Sequence, residues 1–237
     1  MPHLRQLGIA AESPDQLADF YQKVFELDRI DKVNGAVFLS DGIFNLAFVM
    51  EDDSAKQGFT HLGFDTVRVE SIGKKLAQVD MAAESVVAVT SLTGVEYEMR
   101  DPDGNTVGIC RRAFDVAYEK RPVPIRHVAL YTPNPRRMAD FYCKVLDMKE
   151  VDRTDRSSIF VSDGYVNLAL LYQRKEEPIG LNHFGFHVKS NEEMQIRAEK
   201  AGVKRGAARP ERIPFAEYRV RDPEGNGIDI SQKGWRA

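Results

Sequence analysis

The chain has 237 residues, 43% hydrophobic and 29% charged, with 33 Lys and Arg against 36 Asp and Glu. This composition suits a soluble globular protein of one large or two small domains and excludes a disordered chain, while the net charge of -3 lacks the basic excess of a nucleic-acid binder. No apolar run approaches the ~18 residues of a membrane span, and two cysteines, Cys110 and Cys143, cannot build a disulfide framework, so a reducing cytoplasm is the expected compartment.

The opening MPHLRQLGIA lacks the apolar core of a signal peptide. Ser13-Pro14-Asp15-Gln16 reads as a helix cap, and Leu17, Phe20, Tyr21 and Val24 follow at the spacing of an amphipathic helix. The apolar stretch from Gly42 to Met50 is broken by Asn45. AFDVAYEKRPVP, residues 113–124, carries two prolines and several charges and reads as a linker. RHVALYT at 126–132 is then β-rich, and Asn134-Pro135 supplies an N-cap with proline at the first helical position. Met138, Phe141, Tyr142 and Val145 mark the next helix, and SSIFVS and VNLALLY flank the turn at Asp163-Gly164. NHFGFHV is a strand, Ser190 to Glu193 matches a capping box, and Gly202 suits the end of the helix that follows. AEYRVR and GIDI are strands around the DPEGN turn.

The chain is written twice. LADFYQKV at 17–24 returns as MADFYCKV at 138–145, SDG at 40–42 returns at 162–164, HLGF at 61–64 as HFGF at 183–186, and DPDGN at 101–105 as DPEGN at 222–226. Blocks that keep their order and nearly their spacing indicate a duplicated domain. The expected division is residues 1–112, a linker at 113–124, and residues 125–237. Each copy reads as two strand-helix-strand-strand-strand modules. The expected class is α+β, with tandem βαβββ modules whose curved mixed sheets enclose a cleft.

Side chains alternate faces along a strand. With Val128 and Leu130 turned to the helices, His127, Ala129 and Tyr131 face the other way; with Phe184 and Phe186 in the core, His183, Gly185 and His187 do the same. Leu168 and Leu170 leave Asn167 and Ala169 opposite, and Ile228 and Ile230 leave Asp229 opposite. Three potential metal ligands, His127, His183 and Asp229, therefore share the face away from the helices. Ala129 and Gly185, two places beyond the histidines, leave space beside them and point to a cleft. Two imidazoles and a carboxylate with open positions suit Fe(II) and admit other divalent ions.

LADFYQKVFEL and MADFYCKVLDM, the two DPxGN turns and LNHFGFHV at 181–188 resemble motifs of the vicinal oxygen chelate superfamily, which includes glyoxalases, extradiol ring-cleaving dioxygenases and bleomycin-resistance proteins. The resemblance covers nearly all of both copies, and the plan is most similar to that of two-domain extradiol dioxygenases. It implies metal ligation by His127, His183 and Asp229, with Fe(II) or Mn(II) as the cofactor. It also implies a small-molecule substrate with adjacent oxygens, such as a catechol or hydroxy-ketone. Arg219, His187 and Tyr131 are the candidate catalytic side chains, and Asn167, Ala169 and Gly185 the candidate substrate-binding positions. In copy one Gln6 replaces His127, His61 matches His183 and Gly108 replaces Asp229, so that copy is expected to be metal-free. Asp229 stands where the family usually has Glu, and the glyoxalases' additional Glu would fall near Ala169. The extradiol enzymes' further His and late Tyr have no counterparts. The expected function is a metal-dependent enzyme, with extradiol-like ring cleavage first and a glyoxalase-type lyase or isomerase, or a non-catalytic binding protein, as alternatives. Single-domain relatives dimerise to assemble four modules and this chain already holds four, so a monomer and a homo-oligomer both stay open.

Overall fold

The computed structural model describes residues 1–33, 35–50, 58–82, 85–90, 93–111, 122–154, 158–210, 213 and 215–237. Most of the expected linker, residues 113–121, lies outside the described residues. The N-terminal half runs β1 (His3–Ala11), α1 (Pro14–Phe25), β2 (Asp28–Val33), β3 (Ala36–Ser40), β4 (Asn45–Met50), β5 (Phe59–Asp65), α2 (Val69–Leu76), β6 (Val87–Ala88), β7 (Tyr97–Arg100) and β8 (Thr106–Cys110). The C-terminal half repeats it as β9 (Ile125–Thr132), α3 (Pro135–Leu146), β10 (Lys149–Arg153), β11 (Ile159–Ser162), β12 (Asn167–Tyr172), β13 (Gly180–His187), α4 (Asn191–Lys200), β14 (Ala207–Ala208), β15 (Tyr218–Arg221) and β16 (Gly227–Ser231). Each half forms one eight-stranded mixed sheet, with orders β2-β3-β4-β1-β5-β8-β7-β6 and β10-β11-β12-β9-β13-β16-β15-β14. The tandem βαβββ architecture and the α+β class are those read from the sequence.

Local chemistry explains most helix boundaries. Asn134 accepts from the Arg137 amide at 3.0 Å, and Ser190 from the Glu193 amide at 3.1 Å. Only that half of the expected capping box forms, because the Glu193 carboxylate instead pairs with Arg197 at 2.5 Å, one helical turn on. Ser13 does not cap α1 with its own side chain. The Glu224 carboxylate, from the other half, accepts from the amides of Glu12 and Ser13 at 3.1 and 3.0 Å. A negative charge is thereby placed at the positive end of the helix.

The helix-facing sides of both sheets bury one continuous apolar cluster that draws on both halves. Phe25 of α1 stacks on Phe186 of β13 with centroids 4.0 Å apart, and Tyr21 stacks on Phe184 at 5.9 Å. The repeated motifs hold this junction together reciprocally. Tyr21 donates to Asp222 of the DPEGN turn at 2.8 Å, and Tyr142 donates to Asp101 of the DPDGN turn at 3.1 Å. Asp41 accepts from the Ile125 amide at 2.6 Å, and Asp163 from the Leu4 amide at 2.8 Å. These aspartates also organise their own turns: Asp101 and Asp222 each accept two backbone amides. Burial pushes both tyrosine hydroxyls well above their usual range, so they stay protonated donors. Among the described residues no helix is long and apolar enough to cross a membrane.

Candidate functional site

Register places the site. In the C-terminal sheet, Asn167 pairs with His127, His127 with Gly185, and Gly185 with Asp229, so these four positions form one row across β12, β9, β13 and β16. Ala169, Ala129 and His183 pair along the neighbouring row. Donor side chains thus alternate with residues of little or no side chain. A Cβ on Gly227 would lie 3.3 Å from the His183 Cβ, so glycine there gives the His183 side chain room.

The three expected ligands come together. His127 Nε2 lies 3.2 Å from His183 Nε2, and His183 Nε2 lies 3.1 Å from Asp229 Oδ2. All three residues are buried. His127 Nδ1 faces Asn167 Oδ1 at 3.0 Å, and the Asn167 amide nitrogen donates to the Arg236 carbonyl at 2.7 Å, which orients the amide. His183 Nδ1 faces Asn182 Oδ1 at 2.6 Å. Both amide oxygens are acceptors, so in the neutral imidazoles the hydrogen resides on Nδ1 and the Nε2 lone pairs point inward. Burial, reinforced by His183, lowers the His127 pKa to about 3; burial also lowers that of His183, against the pull of Asp229. Burial alone would raise the Asp229 carboxyl, but the Arg219 guanidinium, bound to both oxygens, opposes it and holds the group ionised. Arg219, directly opposite on β15, grips both carboxylate oxygens at 2.5 and 3.0 Å.

Two imidazole nitrogens and a carboxylate oxygen are donor types that a divalent ion takes. Two lone pairs and a carboxylate oxygen meet with no hydrogen assigned between them, and separations of 3.1 and 3.2 Å match donors that share one ion at bonds of about 2.1 Å. Among the described residues, however, no group of three or more His, Cys, Asp or Glu stands arranged as a ready ligand cage. Arg219 takes one lone pair on each Asp229 oxygen, which leaves Oδ2 a lone pair toward the histidines.

Tyr131 shares the face but donates to Glu177 at 2.8 Å; burial and that carboxylate push its pKa up to about 12. His187 is not brought to the ligand set: its Nε2 meets the Gln232 carbonyl at 3.2 Å. Ala169 packs with Ala129 and Phe160. The space expected beside the histidines is not open over Gly185, because Trp235 fills it; a Cβ there would lie 2.7 Å from two ring carbons of the indole. Sequence reasoning missed Trp235 and Asn182. The signals available were a lone tryptophan beyond the last repeated block and an amide next to His183.

The N-terminal half repeats the rows with other chemistry. His61 Nε2 meets Gln6 Oε1 at 2.7 Å, Gln6 donates to the Thr93 carbonyl at 3.2 Å, and Val95 fills the space over Gly108. Burial lowers the His61 pKa to about 4 from 6.5. The unfolded chain therefore takes the proton first, and stability falls as pH drops from 6.5 to 4, by about 3 kcal/mol for this group. Urea unfolding of wild type and His61→Gln across that range should show the gap between them changing by about that amount; a pH-independent gap would contradict a neutral buried His61.

The class is defined by sequence as well as by fold. A family model described as the Glyoxalase/Bleomycin resistance protein/Dioxygenase superfamily matches residues 3–109 and 125–230. The chain belongs to that superfamily. The fold is similar to the 2,3-dioxygenase LapB from Pseudomonas sp. KL28, with TM-score 0.74 and 17% identity over 100% of this chain and 93% of that one. It is equally similar to the Mn(II)-bound glyoxalase from Novosphingobium aromaticivorans, with TM-score 0.74 and 18% identity over 98% and 82%. A catechol 2,3-dioxygenase aligns with TM-score 0.69 and 12% identity over 99% and 93%. A search of curated protein sequences finds no significant match.

Proposed function

We propose that this chain is a metal-dependent enzyme of the vicinal oxygen chelate type, acting on a small substrate with adjacent oxygens, with extradiol-like cleavage of a catechol as the first reading. The supporting observation is the meeting of His127 Nε2, His183 Nε2 and Asp229 Oδ2 from adjacent strands. Fe(II) or Mn(II) held there supplies Lewis acidity and a template for two substrate oxygens. Asn167 and Asn182 keep both Nε2 lone pairs inward, so neither histidine is available as a proton carrier. Arg219, which spends two of its five N–H donors on Asp229, offers the others to a substrate oxyanion. Tyr131, protonated up to about 12, acts as a hydrogen-bond donor and not as a base near neutral pH. The N-terminal half serves as the scaffold that completes the shared core.

A second reading, a non-catalytic small-molecule binding protein, is favoured by the Arg219–Asp229 pair and by Trp235 over Gly185. Anaerobic reconstitution with Fe(II), followed by catechol and O2, separates the readings. Ring cleavage predicts one ion per chain, O2 uptake and a ring-opened product. Turnover of a hydroxy-ketone with solvent proton exchange and no O2 uptake would replace it with a lyase or isomerase. Failure to bind Fe(II) or Mn(II) would leave the binding protein.

A further inference from the structure

We propose that residues 232–236 form a strap whose Trp235 is a positioning residue, holding the His127 imidazole in the one orientation that presents Nε2 to His183 and Asp229. The indole lies parallel to the His127 ring, with centroids 4.9 Å apart and planes 5° apart, and it occupies the space that Gly185 leaves. A flip about the Cβ–Cγ bond would put Cδ2 and Cε1 where Nδ1 and Nε2 now lie, taking Nδ1 off Asn167 and freeing its hydrogen to move to Nε2, and the ring can make it only through a position perpendicular to its present plane. The indole stacked on its face blocks that passage. The next residue completes the restraint: the Arg236 carbonyl accepts from Asn167, whose oxygen faces His127 Nδ1. One short segment thus constrains both the plane of the ring and its hydrogen-bonded edge.

The strap is anchored at several points of the sheet. The Gln232 carbonyl meets His187 Nε2 at 3.2 Å, the Gln232 amide donates to Glu217 at 2.9 Å, and its side-chain oxygen accepts from the Asn191 amide at 3.1 Å. The Gly234 amide donates to Ser231 at 2.9 Å, and Arg236 reaches Asp152 at 3.3 Å. This assigns His187 to holding the strap. The segment lies beyond the residues that the superfamily model matches.

The part of the proposal that concerns metal affinity rests on the metal-centre reading; the part that concerns the imidazole does not, and the test separates them. Side-chain nitrogen-15 NMR of the metal-free protein, with His127 assigned through His127→Gln, should show a single Nδ1–H tautomer in wild type and in Trp235→Phe. In Trp235→Ala it should show a mixture. A single tautomer in Trp235→Ala overturns the proposal. Titration with Mn(II), followed by electron paramagnetic resonance of the free ion, should show affinity about 10–100-fold weaker in Trp235→Ala, with most of it restored in Trp235→Phe. Equal affinity in wild type and Trp235→Ala, or equal loss in both variants, also overturns it. If wild type takes up no Mn(II) while the tautomer result holds, the strap's role stands and the metal-centre reading fails. Trp235 is the chain's only tryptophan, so its emission should change in His127→Gln, and an unchanged spectrum counts against the contact.

Discussion

Asp229→Ala should abolish stoichiometric Mn(II) or Fe(II) binding, weakening affinity by more than about 100-fold, since even partners behind the ligands typically contribute 10–100-fold. The size of the effect follows from the donor set. Asp229 supplies its only negative charge, and the two remaining imidazoles are neutral. The same substitution has a second consequence. Arg219, its side chain 15% exposed, loses the carboxylate that it grips with two hydrogen bonds. An uncompensated, largely buried guanidinium should destabilise the metal-free protein by about 3 kcal/mol. The double variant Asp229→Ala, Arg219→Met removes that charge and should recover most of the stability while metal binding stays lost. Isothermal titration for the ion and urea unfolding of the metal-free proteins read the two effects independently. Unaltered metal affinity in Asp229→Ala would remove the carboxylate from the proposed centre. A stability loss with no metal bound by wild type would make the Arg219–Asp229 pair a structural bridge.

Phe186→Ala should cost about 3–5 kcal/mol and destabilise both halves at once. Phe186 is fully buried on β13, yet its closest ring neighbour is Phe25, at 4.0 Å, on a helix of the other half. Truncation leaves a cavity at the seam of a single cluster that includes residues from both sheets. Phe25→Ala should cost a similar amount. The double variant should cost less than the sum by about 1 kcal/mol, the contribution of one stacked aromatic pair. Urea unfolding followed by circular dichroism and by Trp235 fluorescence should give one coincident transition in wild type and variants. Two separated transitions would mean that the halves are energetically independent, despite the Tyr21–Asp222 and Tyr142–Asp101 bonds between them.

Much of this molecule was legible because the relevant signals are local or repeated. The helices begin at Pro14 and Pro135, each with proline in the first turn, and strand alternation put Val128 and Leu130 in the core and His127 on the other face. Alternation also brought His183, Asp229 and Asn167 onto the face where their mutual contacts are found. The two DPxGN turns were readable as turn chemistry. Their aspartates' second use, as acceptors for a tyrosine of the opposite half, was not, because no sequence period connects residues 201 positions apart, such as Tyr21 and Asp222. Glu224 capping α1 and Asp163 holding the Leu4 amide belong to the same group.

The sequence by itself determined the duplication, the order of elements within each module and the face on which each strand residue lies. Those properties arise from covalent geometry and from a pattern that repeats within a few residues, so they survive without knowledge of the neighbours. Only the tertiary structure decided what meets those faces. Arg219 closes on Asp229 because β15 and β16 pair in that register, and Trp235 covers His127 because the chain after β16 turns back across the sheet. Such contacts are selected by the packing of whole strands and segments against one another, and a side chain does not encode them in its own vicinity.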